Sequence, residues 1–292
     1  MKTNPRELLI CLFAVLLLCT ACSSPLNSAQ ASPAENQNLF LPSVSGAGAG
    51  GQPTPSVPDW WQPAPGTSWQ WQLSGHIDTS FDVEMYDIDL VEASQAVIDQ
   101  LHADGRTVIC YFSAGSWEEW RADADQFPDS VIGKKLDNWP GENWLDIRQL
   151  ETLAPIMSAR LDLAVQKDCD GVEPDNVDGY SNDTGFPLSY ADQLTYNQWL
   201  AEQAHQRGLS IGLKNDLDQI LDLVSYFDWA LNEECFFYDE CELLQPFVQA
   251  GKAVFGVEYE LETSQFCPQA NAQNFDFLKK NWDLDAWQLA CR

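Results

Sequence analysis

The segment Gly171–Tyr180, GVEPDNVDGY, begins as a buried strand and then turns to acids and turn formers. Val172 is its one bulky apolar residue before Glu173, Pro174, Asp175, Asn176 and Asp178. Proline removes a backbone donor, so a sheet ladder cannot run freely through position 174. The strand is therefore short and gathers polar side chains at its C-terminal tip. Working outward, similar short runs recur at 69–74 (WQWQLS), 83–89 (VEMYDID), 107–113 (TVICYFS), 210–215 (SIGLKN), 228–233 (DWALNE), 253–259 (AVFGVEY) and 285–290 (DAWQLA). Between them lie segments with helical spacing. EASQAVIDQLHADG ends on Gly105, and LSYADQLTYNQWLAEQAHQRG starts at Ser189 and ends on Gly208. YDECELLQPFVQAG and the stretch around NAQNFDFLKKN read as shorter helices.

Eight strands alternating with helices predict an α/β fold, a (β/α)₈ TIM-type barrel forming a single domain over residues 60–292. The link from Ser74 to Val83 is too short for a helical crossover, so the first two strands are joined irregularly or one lies outside the barrel. A doubly wound nucleotide-binding sheet is excluded by the lack of GxGxxG or GxxxxGK[ST].

Barrel enzymes place their chemistry at the C-terminal ends of the strands. The residues there are Asp78 after the first strand, Asp87 with Asp89 on the second, Tyr111 and Ser113 on the third, and Asp175 on the fourth. Lys214 and Asn215 end the fifth, Asn232 and Glu233 the sixth, Glu258 and Tyr259 the seventh, and Gln288 lies on the eighth. Carboxylates facing one another across a pocket, with aromatics nearby, are equipment for glycosidic-bond cleavage. Asp178 is expected to cap the turn, Lys214 to pair with a carboxylate, and only one of the adjacent Glu233 and Glu234 to face the pocket, the other being solvated or a helix-start acid. His102 and His205 fall in helical patterns where solvated positions are expected. No nucleophile elbow is present. DCDGVEPD and DNVDGYSND depart from the EF-hand order, and beyond Cys22 no CxxC or HxxxH spacing suggests zinc, so no metal and no cofactor are expected.

The runs WQWQLSGHIDTS…VEMYDIDLVEAS, VICYFSAGSWEEWR, DGVEPDNVDGY, GLKND and WALNEECFFYDEC together resemble glycoside hydrolase family 114, the endo-α-1,4-polygalactosaminidases, across residues 60–292. The resemblance implies a (β/α)₈ barrel that cleaves α-1,4-linked, partly deacetylated galactosamine polymers, with catalytic acids at Asp175 and Glu233. Substrate-binding residues are expected at Asp78, Asp87, Tyr111, Lys214, Asn215, Tyr259 and Gln288, with Asp78 and Asp87 as counter-charges for a cationic sugar. The competing readings are a non-catalytic surface protein that binds cationic glycan and an endoglycosidase for another polysaccharide.

Charge agrees with a cationic partner. The chain carries −29, and because three of its 44 acids and two of its 15 bases precede Trp60, residues 60–292 carry −28. Nucleic acid and anionic lipid surfaces are poor partners for such a domain. The front end concerns address. Lys2 and Arg6 precede the apolar run LLICLFAVLLLCTAC, which reads as a signal peptide over residues 1–21. CTAC resembles a bacterial lipoprotein cleavage site, with Cys19 where leucine is usual, so Cys22 is expected to carry lipid and to anchor an extracytoplasmic, monomeric protein to a membrane. Ordinary secretion is the alternative. Residues 22–59, which include SGAGAGGQPTP, read as a disordered tether. Six later cysteines suggest disulfides in an exported chain. Cys235 and Cys241 flank a short loop and form the readiest pair. Cys267 with Cys291 and Cys110 with Cys169 would complete the set, among fifteen possible connectivities.

Overall fold

The computed structural model describes residues 60–292. The expected signal, lipidation at Cys22 and tether fall on residues 1–59, outside the described residues. In chain order the elements are β1 (Trp69–Gln72), β2 (Met85–Asp89), α1 (Gln95–Ala103), β3 (Thr107–Ser113), β4 (Ser116–Glu118), β5 (Ile132–Lys135), β6 (Glu142–Leu145) and α2 (Leu150–Gln166). Then follow β7 (Gly171–Asp175), α3 (Tyr190–His205), β8 (Ser210–Lys214), α4 (Ile220–Leu223) and β9 (Trp229–Glu233). The last elements are α5 (Gln245–Gln249), β10 (Val254–Glu258), α6 (Thr263–Ala272), β11 (Asp276–Lys280) and β12 (Gln288–Ala290).

The sheet order β1-β2-β3-β7-β8-β9-β10-β11 follows the chain, with every one of these pairs parallel. This is the topology of a (β/α)₈ barrel, nearly closed. No backbone ladder joins β11 to β1. Side chains and the following loop bridge the gap: Trp69 Nε1 donates to Asp276 O at 2.8 Å, and Leu284 O accepts from Leu73 N at 3.0 Å. Residues 73–84 join β1 to β2 without a helix, and Tyr86 OH pins that loop by donating to Phe81 O at 3.1 Å. The first link is thus the irregular one.

The eighth barrel strand is not 285–290, as the sequence suggested, but β11, within a stretch read as helical. Helix α6 stops at Ala272, and Asn274, at φ 63°, turns the chain. Phe275 and Phe277 then face the helix layer while Leu278 faces the barrel interior, the period of two that a strand requires. Only Gln288–Ala290 of the expected strand is extended, and it runs antiparallel to β11.

Two apolar layers result. Ile88, Val108, Val172, Ile211 and Leu200 pack between strands and helices. Trp69, Trp71, Met85, Ile109, Trp229, Leu231, Phe255 and Val257 fill the barrel. Gly212 makes room for Trp229, since a Cβ there would lie 2.3 Å from the indole ring. Residues 116–145, for which the sequence suggested no elements, form a three-stranded antiparallel sheet, β4-β6-β5, inserted between β3 and α2. Helix α2 was likewise not anticipated; it buries Leu153, Ile156, Met157, Arg160, Leu161 and Ala164 along one stripe. Disulfides join Cys110 to Cys169, Cys235 to Cys241 and Cys267 to Cys291.

Candidate active site

Strands β7, β8 and β9 end on Asp175, Lys214 and Glu233, and in each case the next residue is left-handed. Asn176 has φ 61°, Asn215 φ 50° and Glu234 φ 64°. Asparagine visits that region more readily than most residues, whereas a glutamate there is strained. Each strand therefore stops abruptly and leaves its last side chain at the barrel mouth. Lys214, 1% exposed, lies between the two acids, its Nζ 3.2 Å from Asp175 Oδ1 and 3.5 Å from Glu233 Oε2. Tyr111 OH donates to Asp175 Oδ2 at 3.0 Å, and Asn176 N donates to Asp175 Oδ1 at 2.8 Å. Glu233 is held by Asn215 Nδ2 at 3.2 Å and by Tyr259 OH, while Asn215 Oδ1 accepts from Glu233 N at 3.0 Å. Burial, with Asp175 next to one ring and Glu233 next to the other, pushes both tyrosine hydroxyls well above their usual range, so both remain donors.

One layer deeper sits a carboxylate to which the sequence reading gave no role. Glu173 is fully buried, accepts from Lys214 Nζ at 2.8 Å and from Trp71 Nε1 at 3.0 Å, and faces Asp87. The alternation of a strand would have found it: two residues before Asp175 is the same face, one step down. Burial opposes a charge on Lys214, but Asp175, Glu173 and Glu233 outweigh it and hold the ammonium well above its usual range. Asp87 behaves oppositely. Burial, then the adjacent Glu173, pushes its carboxyl well above the usual range, and neither of its oxygens has a hydrogen-bond partner among the described residues. Burial also pushes Glu173 up, to about 7, against the opposing pull of Lys214. Because Lys214 and Trp71 both donate to Glu173 and no described residue donates to Asp87, Asp87 holds the proton of this pair the more tightly.

Above this core opens a cleft of about 860 Å³. Asp175, Glu233, Lys214, Asn215, Tyr111 and Tyr259 all line it. Eleven lining residues are acids and four are bases, so the cleft concentrates the negative charge of the domain. Tyr259 stacks on Trp282 with ring centres 4.0 Å apart, and Trp120 and Trp139 are exposed along the wall. The inserted sheet supplies Glu118, Lys134, Lys135, Glu142 and Trp144.

Three expected binding residues are not at the cleft. Asp87 is one layer too deep, and its carboxyl is held well above the usual range; Asp89, two residues on, reaches the wall, where Arg121 grips both of its oxygens at 3.0 and 2.6 Å. Asp78 lies in the β1–β2 loop away from the cleft and accepts from Ser80 N at 3.0 Å. Gln288 is on β12, which runs antiparallel to β11 outside the parallel barrel. Two other expectations also change. Asp178 lines the cleft and makes no side-chain cap, and burial pushes its carboxyl up to about 6. Glu234 is buried against the cleft and not solvated. His102 and His205 are partly buried and paired, each with Nε2 2.9 Å from a carboxylate, Asp170 and Asp228 respectively. Among the described residues, no group of three or more His, Cys, Asp or Glu side chains could hold a metal ion.

Two carboxylates on one open cleft, separated by a cation and flanked by aromatic faces, form the constellation for hydrolysing a glycosidic bond. The family model of glycoside-hydrolase family GH114 matches residues 50–292. The chain belongs to that family. As a GH114 glycoside hydrolase it is similar to Ega3 of Aspergillus fumigatus, solved in complex with galactosamine, at 46% identity over 79% of this chain and 97% of that one, with a TM-score of 0.76. The glycoside hydrolase domain of PelA from Pseudomonas aeruginosa shares the fold at 12% identity, covering 76% of this chain and 98% of that one, with a TM-score of 0.61. No curated protein matches the chain. The three disulfides of this GH114 domain suit an oxidising, extracytoplasmic setting. Among the described residues no helix is long and apolar enough to cross a membrane.

Proposed function

We propose that this glycoside hydrolase cleaves α-1,4-linked, at least partly deacetylated galactosamine polymers internally, with Asp175 as nucleophile and Glu233 as general acid and then base. The observation that carries the reading is the single Lys214 ammonium in contact with both acids beneath an acidic cleft. The galactosamine bound by Ega3 supports the substrate class. Three donors aimed at Asp175, from Tyr111, Asn176 and Lys214, suit a carboxylate that attacks while charged. Glu233, with a side chain 28% exposed against 18% for Asp175, is better placed to exchange a proton with the leaving oxygen and then with water.

In the first step Asp175 bonds to the anomeric carbon as Glu233 gives its proton to the departing oxygen; in the second, Glu233 removes a proton from the water that releases the sugar. Esterification removes the charge of Asp175. Glu173, which takes no part in bond making, keeps Lys214 balanced throughout. The purified protein incubated with deacetylated polygalactosamine should yield a ladder of oligomers by mass spectrometry; an unfragmented polymer overturns the reading.

For the front end, the signal-like run and CTAC support export with lipid on Cys22, and residues 22–59 serve as the tether of a monomeric catalytic domain. Replacing Cys22 with serine should then release the protein from the membrane fraction. A wild-type protein already soluble and unmodified at its N-terminus would leave simple secretion.

A further inference from the structure

We propose that Glu142 is the residue that reads the amino group of the substrate, its carboxylate forming a charge-assisted contact with the ammonium of a galactosamine unit bound beside Asp175. The inference rests on the substrate class proposed above and assigns a residue to its recognition.

Glu142 opens β6 directly opposite Glu118 on β4, and both side chains are buried, Glu142 at 7% exposure. Their charges are treated differently. Glu118 is paired with Arg121 at 2.9 Å and with Arg160 at 3.7 Å. Glu142 has no ion pair among the described residues, and its one hydrogen-bond partner is Ser116 Oγ, at 2.8 Å from Oε2. Arg121 is already committed to Asp89 and Glu118. On the other side of β6, Lys135 of β5 is exposed and stands opposite Asn143, not Glu142. Glu142 therefore faces the cleft as a buried acid still lacking a cation.

Its position relative to the bond being cleaved is set by a chain of contacts. Ser116 Oγ lies 2.6 Å from Ser113 Oγ, which accepts from Asn176 Nδ2 at 2.9 Å, and Asn176 N donates to Asp175. Gly115 clamps this turn, since a Cβ there would lie 1.7 Å from Asn176 O. A sugar seated on Asp175 thus has Glu142 on the same wall.

Burial pushes the Glu142 carboxyl up to about 7, with Ser116 and Arg121 opposing the shift and Glu118 and Asp175 adding to it. An ammonium brought against it favours the charged form, whereas a hydroxyl or acetamide does not. Below about pH 7 the binding of an amino sugar is consequently linked to release of a proton from Glu142.

The test is calorimetric titration of galactosamine oligomers onto the full chain carrying Glu233→Gln, at pH 6 to 7, in two buffers of different ionisation enthalpy. Proton release is expected, and adding Glu142→Gln should remove most of it at pH 7, above the value of about 6 to which Asp178 in the same cleft is raised. The same change should weaken binding about tenfold or more, the worth of a hydrogen bond to a charged group. Binding of N-acetylated oligomers should not change. Ser116→Ala should move the midpoint of proton release to higher pH. Absence of proton release, equal loss for both oligomers, or an unmoved midpoint would each overturn the assignment. Failure of the substrate class itself is separate and shows as an intact polymer with the wild-type protein.

Discussion

Asp175 and Glu233 contact the same ammonium, that of Lys214, at 3.2 and 3.5 Å. The two contacting oxygens therefore cannot be further apart than the sum of these distances. That limit reaches only the lower edge of the separation used by inverting pairs, roughly 6.5–9.5 Å, and admits the roughly 5–5.5 Å of retaining ones. Hydrolysis of an α-linked polymer is expected to release the α-anomer first. Proton magnetic resonance of the reaction before mutarotation decides this, and an initial β-anomer would make the mechanism inverting.

If both acids act in the chemical step, Asp175→Asn and Glu233→Gln should each lower kcat by about 10²–10⁴-fold, the range for groups that transfer a proton or bond in the transition state. The changes are near-isosteric, so circular dichroism and thermal midpoint should stay close to wild type. Near-normal turnover in either variant would remove that residue from the mechanism.

The barrel was legible because strands β1 to β3 and β7 to β10 each carry a compact apolar run between helical patterns or turn formers. The eighth strand was not, because Asp276, Lys279 and Lys280 interrupt its run and it follows α6 almost directly. The inserted sheet was hidden for a different reason. Its strands have three or four residues, and their pairing depends on packing at the barrel mouth, not on local pattern. At the site, strand ends pointed to Asp175 and Glu233, but position along the chain does not reveal depth. Asp87 and Glu173 are on the inward face yet one layer below the cleft, and a period of two gives the face without giving the layer.

Cys110 and Cys169 join β3 to the chain just before β7, across a sequence separation of 59 residues. Closing a loop of that size restricts the unfolded chain by about 4 kcal/mol in the chain-entropy model. The double replacement by alanine should lower unfolding free energy by about that amount in urea. The shorter Cys235–Cys241 loop, with a separation of 6 residues, should matter less. An equal cost for both would show that strain or packing, not loop entropy, sets their contribution.

Asp87 is buried beside Glu173, and burial, then that neighbour, hold its carboxyl well above the usual range. Its folded pKa lies above that of the unfolded chain, 3.8 in the ordinary case. The sign then follows from proton binding. Between those two values the native state binds a proton that the unfolded state has lost, so stability falls as pH rises. This contribution is fully present below about pH 4 and is lost as pH rises through the raised folded value. Asp87→Asn supplies a neutral donor of nearly the same shape with nothing to titrate. The variant should match wild type in acid and become the more stable of the two toward neutral pH, as read from thermal midpoints measured from pH 3 to 8. The 2.8 Å contact of Lys214 with Glu173 does not involve Asp87, so the variant leaves that ion pair beneath the cleft in place. If Asp87→Asn were instead less stable at neutral pH and equal in acid, Asp87 would be ionised in the native protein, and the proton would belong to Glu173.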